Sequence, residues 1–246
     1  MTRAVVGVVC ALRSEARHLG RTLSRDASVE SLAAGKLLAV TGMGCAAAAA
    51  GAEALVTAGA TALISWGLAG GLDPQLRAGQ IFLPSEIAAC DGTVLTSDSA
   101  WREGLCASLI GHPALSSGRL ATSAAAVGSV AAKTALYRST GARAVDMESA
   151  AIAAVAERRG LPFIAVRVIV DRAADEVPAV VLAATDGSGR VAVLPLLGRL
   201  LRRPAQIPAL LRLAHGYLEA NRSLAAVARS GALGRATGSP SRAGVA

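Results

Sequence analysis

Valine-rich apolar runs alternate with alanine-rich stretches along the first 171 residues, and this alternation is the strongest limit on what the chain can fold into. AVVGVV from Ala4, TALISWG from Thr61 and LPFIAVRVIVD from Leu161 are nearly continuous apolar runs, as strands buried on both faces are. IFLPSEIAA from Ile81, GRLATSA from Gly118 and the short ARAVD from Ala142 read as further strands. Between them, RSEARHLGRTL from Arg13, CAAAAAGAEALVTAG from Cys45, SAWREGLCASLI from Ser99, VGSVAAKTALYRSTG from Val127 and MESAAIAAVAERRG from Met147 read as helices. Strands alternating with helices predict an α/β fold: a single domain whose central β-sheet is flanked by helices. SVESLAAG and KLLAVTG, from Ser28, read as a hairpin, so the sheet is expected to be mixed.

A chain of 246 residues that is 53% hydrophobic can bury one large core. Only 2% is aromatic, so alanine, valine and leucine must fill that core. After Pro178 the pattern changes. VAVLPLLGRLLRRP and AQIPALLRLAHGYLEANRSLAAVARS read as C-terminal helices, and the Gly/Ser/Pro-rich end from 231 to 246 reads as a flexible tail. The folded domain is therefore expected over 1–230.

The net charge of +8 is concentrated late: nine arginines follow from Arg190 onward against the single acid Glu219. No aromatic platform interleaves with them, so nucleic acid is not the expected partner. Leu196, Leu197, Leu200 and Leu201 alternate with Arg199, Arg202 and Arg203. That pattern suits a helix lying on an anionic bilayer, and equally a leucine face packed on the core with its arginines in water. The N-terminal apolar run ends at Arg13, Glu15 and Arg17 without a small-residue cleavage site, which reads as a buried first strand and not a signal peptide. No segment is long and uncharged enough to span a membrane. Four spaced cysteines without a C-x-x-C read as small core residues in a reducing compartment. A cytoplasmic protein is expected, with a peripheral contact to the inner face of the membrane through the basic helices. The three histidines are scattered, so no metal is expected.

In open α/β sheets, ligands collect beyond the carboxyl ends of the strands. Four loops fall there. CALRSEA places Arg13 and Glu15 directly after the first strand, where an ordinary helix start would also favour a glutamate. VTGMGCAAAAAG carries Gly42 and Gly44 at a strand-to-helix turn, suited to an anion but lacking the later acid of a dinucleotide fingerprint. SWGLAGGLDPQLRAGQ carries Gly67, Gly70 and Gly71, which let a backbone approach a ligand or simply make a tight loop. IVDRAADEVP places Asp171 at the end of a buried strand, either as a helix cap or as an acid with a raised pKa.

AVDMESAAIAAVA, from Ala144, puts Asp146 and Glu148 among residues that otherwise belong in a core. A buried carboxylate is costly unless it is paired, hydrogen-bonded or kept for chemistry. If the strands ending at Asp146 and Asp171 are neighbours, Glu148 and Asp171 share one cleft.

VDMESAAIA followed by PFIAVRVIVDRAAD, together with SWGLAGGLDPQLRAGQIFLP, resembles the signature of the nucleoside phosphorylase and nucleosidase superfamily, from the first strand to about Glu176. GLAGGLDP, VDMESAA with IVD, and LLGRLLRRPAQIPALLRLA resemble most closely the hopanoid-associated phosphorylase branch, which removes adenine from an adenosyl-hopane. The resemblance implies that Met147 packs against the sugar and Glu148 binds its 2′- and 3′-hydroxyls. It implies that Asp171 protonates or hydrogen-bonds N7 of a purine and that Glu15 positions the nucleophile. It implies no cofactor beyond inorganic phosphate as co-substrate, a small-molecule or lipid-linked nucleoside as substrate, and a homo-oligomer. Two positions depart from the pattern: Leu68 and Ser65 stand where relatives carry a serine and an arginine that grip phosphate. Arg13, Gly44 and the backbone from Gly67 to Gly71 are the candidate replacements. ATSAAAV, from Ala121, replaces a usual aromatic with small residues and implies a wider, apolar site. Phosphorolysis of a 5′-substituted adenosine is the expected activity. The alternatives are hydrolysis of the methylthioadenosine/S-adenosylhomocysteine type and a non-catalytic nucleoside- or lipid-binding protein.

Overall fold

Backbone polar groups in an apolar run must find partners when they leave water, and here the runs pair with one another. The computed structural model describes residues 4–20, 29–32, 35–109, 115–178 and 206–234. Its strands are β1 (Val6–Cys10), β2 (Glu30–Leu32), β3 (Lys36–Val40), β4 (Ala62–Gly71), β5 (Ile81–Phe82), β6 (Glu86–Ala88), β7 (Val94–Thr96), β8 (Leu115–Ser116), β9 (Arg119–Thr122), β10 (Ala144–Asp146) and β11 (Phe163–Asp171). The helices are α1 (Arg13–Ala16), α2 (Cys45–Thr57), α3 (Ser99–Ser108), α4 (Val130–Thr140), α5 (Ser149–Arg159) and α6 (Ile207–Arg229).

The strands form one mixed sheet around β4. β1 and β11 flank β4 in parallel, β3 extends the sheet beyond β1, and β2 adds antiparallel to β3 as the expected hairpin. Further along, β10 pairs antiparallel with Gly70 and Gly71 of β4 and carries β9, β6 and β7 beyond it. β10 and β11 are therefore not neighbours: β4 lies between them.

Both faces of the sheet are apolar, as the continuous runs require. Val9, Leu63 and Ile169 pack with Leu55 of α2 and with Ile152 and Val155 of α5. Val8, Ile64 and Val166 pack on the other face with Trp101 of α3 and with Leu224 and Val227 of α6. Each such valine, leucine or isoleucine contributes about 1.5–3 kcal/mol when fully buried.

Several elements differ from expectation for local reasons. The helix expected from Arg13 is a single turn, with residues 21–28 outside the described range. IFLPSEIAA divides into β5 and β6 around Pro84, whose nitrogen has no hydrogen to give a ladder. The glycine-rich stretch read as a loop continues as strand to Gly71, held by β11 on one side and β10 on the other. The short β7 and β8 carried too few residues to register. Cys10 is buried as expected, but Cys90 is exposed. The basic leucine-rich helix expected over 191–204, and the tail beyond 234, lie outside the described residues. Among the described residues no helix is long and apolar enough to cross a membrane.

α6 crosses directly over the end of β11. A Cβ on Gly216 would overlap the Val170 carbonyl oxygen, one residue before Asp171. The same helix reaches α1, where Arg17 Nη2 donates to Asn221 Oδ1 at 3.0 Å. Gly216→Ala is expected to lose about 1–3 kcal/mol through forced overpacking. Denaturant melts of the two proteins check this, and an unchanged midpoint would show that the helix and strand can separate without cost.

Candidate active site

One turn of helix brings the first carboxylate into place. Glu15 folds back on the start of α1, where its Oε2 accepts the Leu12 N–H at 3.0 Å. Its Oε1 accepts the Leu68 N–H from the middle of β4, also at 3.0 Å. Trp66 clamps the turn from below, its indole N–H donating to the Glu15 carbonyl at 3.0 Å. Gly67 makes this approach possible, since a Cβ there would stand 2.7 Å from Glu15 Oε1. Burial raises the pKa of Glu15 from an ordinary 4.5 to about 7, against the opposing pull of Arg167 and the two N–H donors.

The paired acids of the AVDMES stretch have different duties. Asp146 is the structural one. Its Oδ2 takes Nη2 and Nε of Arg167 at 2.7 and 2.9 Å and the Ser149 N–H at 3.1 Å, while its Oδ1 accepts from the Thr122 hydroxyl at 2.8 Å. Arg167 also donates to Ser65 and Ser149 Oγ, at 2.6 and 3.0 Å. Every charge in this buried set is thus compensated, as its location requires. Glu148, at the start of α5, accepts the Gly44 N–H at 2.9 Å through Oε1. Burial raises its pKa and nearby Asp146 adds to the effect, while Arg167 and the Gly44 N–H oppose it.

Asp171 ends β11 at an irregularity. Ile169 pairs with Ala69, but Asp171, not Val170, pairs with Gly70. One extra residue in a strand re-aims the side chain that follows it. The Asp171 carboxylate is buried and forms an ion pair with Lys133 of α4, whose side chain is wholly buried. Lys133 Nζ also donates to the carbonyls of Arg172 and Asp175, both at 2.8 Å. Burial raises the pKa of Asp171, and Lys133 pulls it the other way.

Glu15, Met147, Glu148, Gly70 and Asp171 line one cavity of about 250 Å³. It opens at the carboxyl ends of β1, β10 and β11, with β4 passing through its floor. Among the described residues, the charged side chains that line it are all carboxylates: Glu15, Asp146, Glu148 and Asp171. Met43, Ala125, Val127, Val177 and Leu213 make the rest of the wall apolar. Gly67 and Gly44 do not line the cavity; one makes room for Glu15 and the other holds Glu148. Arg13 is exposed on α1 and is also absent from the lining. The sequence reading missed Arg167 and Lys133. An arginine inside the apolar run FIAVRVIV carries a signal, because a buried guanidinium must be met by acids. Lys133, in AAKTAL, looks like any solvent-facing helical lysine. Among the described residues no cluster of three histidine, cysteine or acidic side chains could hold a metal ion.

The architecture and the sequence both have known counterparts. A family model described as the phosphorylase superfamily matches residues 6–197. The solved futalosine hydrolase of Helicobacter pylori superposes with a TM-score of 0.69 at 16% identity, covering 93% of this chain and 97% of its own. The 5′-methylthioadenosine/S-adenosylhomocysteine nucleosidase of Neisseria meningitidis, solved with methylthio-immucillin-A, superposes at 0.66 with 20% identity, covering 92% and 98%. A Helicobacter pylori nucleosidase, a point mutant solved with 5′-methylthioadenosine in its active site, superposes at 0.63 with 20% identity, covering 71% and 87%. No curated protein matches the chain in sequence.

Proposed function

The chain belongs to the phosphorylase superfamily, and from that premise we propose that it cleaves the N-glycosidic bond of a 5′-substituted purine nucleoside, with water as the nucleophile. The observation that carries this reading is Glu15: a buried carboxylate on the cavity wall with a pKa of about 7. A general base works best when its pKa lies near the working pH. Glu15 takes a proton from water as the water oxygen bonds to C1′. The C1′–N9 bond breaks, its electron pair passes to the purine, and Asp171 gives its proton to N7. Adenine leaves neutral, and the proton on Glu15 returns to Asp171 through solvent. The sugar passes through an oxocarbenium-like state, which the surrounding carboxylates stabilise. Met147 packs on the ribose. Glu148, with Oε1 fixed by Gly44, directs its other oxygen at the 2′- and 3′-hydroxyls. The superposed nucleosidases and futalosine hydrolase support the substrate class.

Phosphorolysis of an adenosyl-hopane is the second reading. The apolar wall from Ala125 to Val127, with Val177 and Leu213, supports a bulky hydrophobic group on the 5′ side under either reading. A phosphate nucleophile would have to enter beside Glu15 and Glu148, where like charge opposes it.

A product assay separates the two. Purified protein with a hydrophobic 5′-substituted adenosine should release adenine at the same rate with and without phosphate, giving a free sugar. Release that requires phosphate and yields a sugar 1-phosphate would replace hydrolysis with the second reading. No adenine under either condition would favour a binding protein.

A further inference from the structure

A buried lysine is costly to keep, and Lys133 is wholly buried. Its three hydrogen-bonding positions are all used, by Asp171 Oδ2, the Arg172 carbonyl and the Asp175 carbonyl. Only an ammonium has three protons to give, so this set of acceptors selects the charged form. The two carbonyls belong to the turn that follows β11, and Asp175 is tied there by Arg172 at 2.9 Å. Lys133 thus fastens the strand end, the turn and the carboxylate to α4 at one point.

We propose that Lys133 is the positioning residue for the leaving-group acid: it holds Asp171 by Oδ2 against the end of β11 and stabilises the carboxylate that forms as Asp171 gives up its proton. The proposal rests on the glycosidic cleavage described above. With the proton in place on Asp171, Lys133 faces a neutral carboxyl group; without it, the two form the ion pair. As it moves to N7, a full negative charge develops on Asp171, one hydrogen bond away from the ammonium. An interaction that strengthens along the reaction lowers the barrier, whereas one of constant strength does not. The ammonium keeps its own three protons throughout. Asp175, Arg172 and Arg212 are the other charged groups close by, and they compensate one another.

The role is specific to leaving groups that need a proton, and this supplies the test. Wild-type protein and Lys133→Met are compared on two substrates with the same 5′-methylthio ribose, one carrying adenine and the other p-nitrophenol, which leaves unassisted. Lys133→Met should lose about 10- to 100-fold in kcat/KM for adenine release, within the range of acid–base assistance, and about threefold or less for nitrophenol. Combined with Asp171→Asn, the lysine substitution should add nothing further to the loss on adenine. Equal losses on both substrates, or undiminished adenine release, would overturn the role and leave Lys133 as a structural brace. If Lys133→Met does not fold, Lys133→Gln removes the charge but keeps an amide donor, and it should show the same split. Wild-type protein that cleaves neither substrate would overturn the glycosidic reading itself, and the Lys133 role with it.

Discussion

Asp171→Asn is expected to lower kcat/KM for adenine release by about 10²–10⁴-fold, the usual contribution of a positioned acid. Asparagine keeps the shape of the side chain and an oxygen for Lys133, but its amide has no acidic proton for N7. Binding should therefore survive while turnover fails. Calorimetry with a non-cleavable adenosine analogue, beside initial rates of adenine release, tests the two halves separately. A variant that turns over normally would remove Asp171 from the chemistry. An absence of turnover in both proteins, with binding in both, would mark the chain as a nucleoside-binding protein.

Glu15→Gln carries the second large effect, and it has two faces. Hydrolysis should fall by about 10²–10⁴-fold, because an amide cannot take the proton of the attacking water. The acidic limb of the wild-type rate profile, rising through about pH 7 as Glu15 ionises, should vanish with it. Stability should move the opposite way with pH. Folding raises the pKa of Glu15 from 4.5 to about 7, so the folded protein holds the extra proton. That contribution is complete below the unfolded value and is lost as pH rises through about 7. Holding a proton that the unfolded chain releases is linked to stability at about 1.4 kcal/mol for each pH unit between the two values. Wild-type protein should therefore lose on the order of 3 kcal/mol relative to the glutamine variant across this window. Urea melts of both proteins at about pH 4 and pH 9 read the change directly. A stability gap independent of pH would mean that Glu15 ionises as it does in the unfolded chain.

What the sequence disclosed follows from which signals are local. Continuous valine-rich runs announce strands buried on both faces, and the hairpin before Val40 announces a mixed sheet. Asp171 and Glu148 stood out because acids are rare beside such runs. Asp146 stood out for the same reason, yet its partner Arg167 lies in another strand, so its structural duty showed only in the fold. Lys133 gave no signal at all, because its burial depends on how α4 meets the turn after β11. Gly67 to Gly71 suggested a loop by composition. Pairing on both sides turned them into strand, since ladder hydrogen bonds offset the entropy that glycine loses there.

The crossing of α6 over Val170 and its tie to Arg17 set an order of events during synthesis. Among the described residues the helix is translated after every other element around the cavity, yet it braces both the turn that bears Glu15 and the strand end that bears Asp171. A ribosome-bound chain that has not yet released Gly216 and Asn221 carries all four cavity carboxylates and still lacks their support. Assembly of the site therefore waits for α6, and a stop before Ile207 would leave a nascent protein with its chemistry encoded but unassembled.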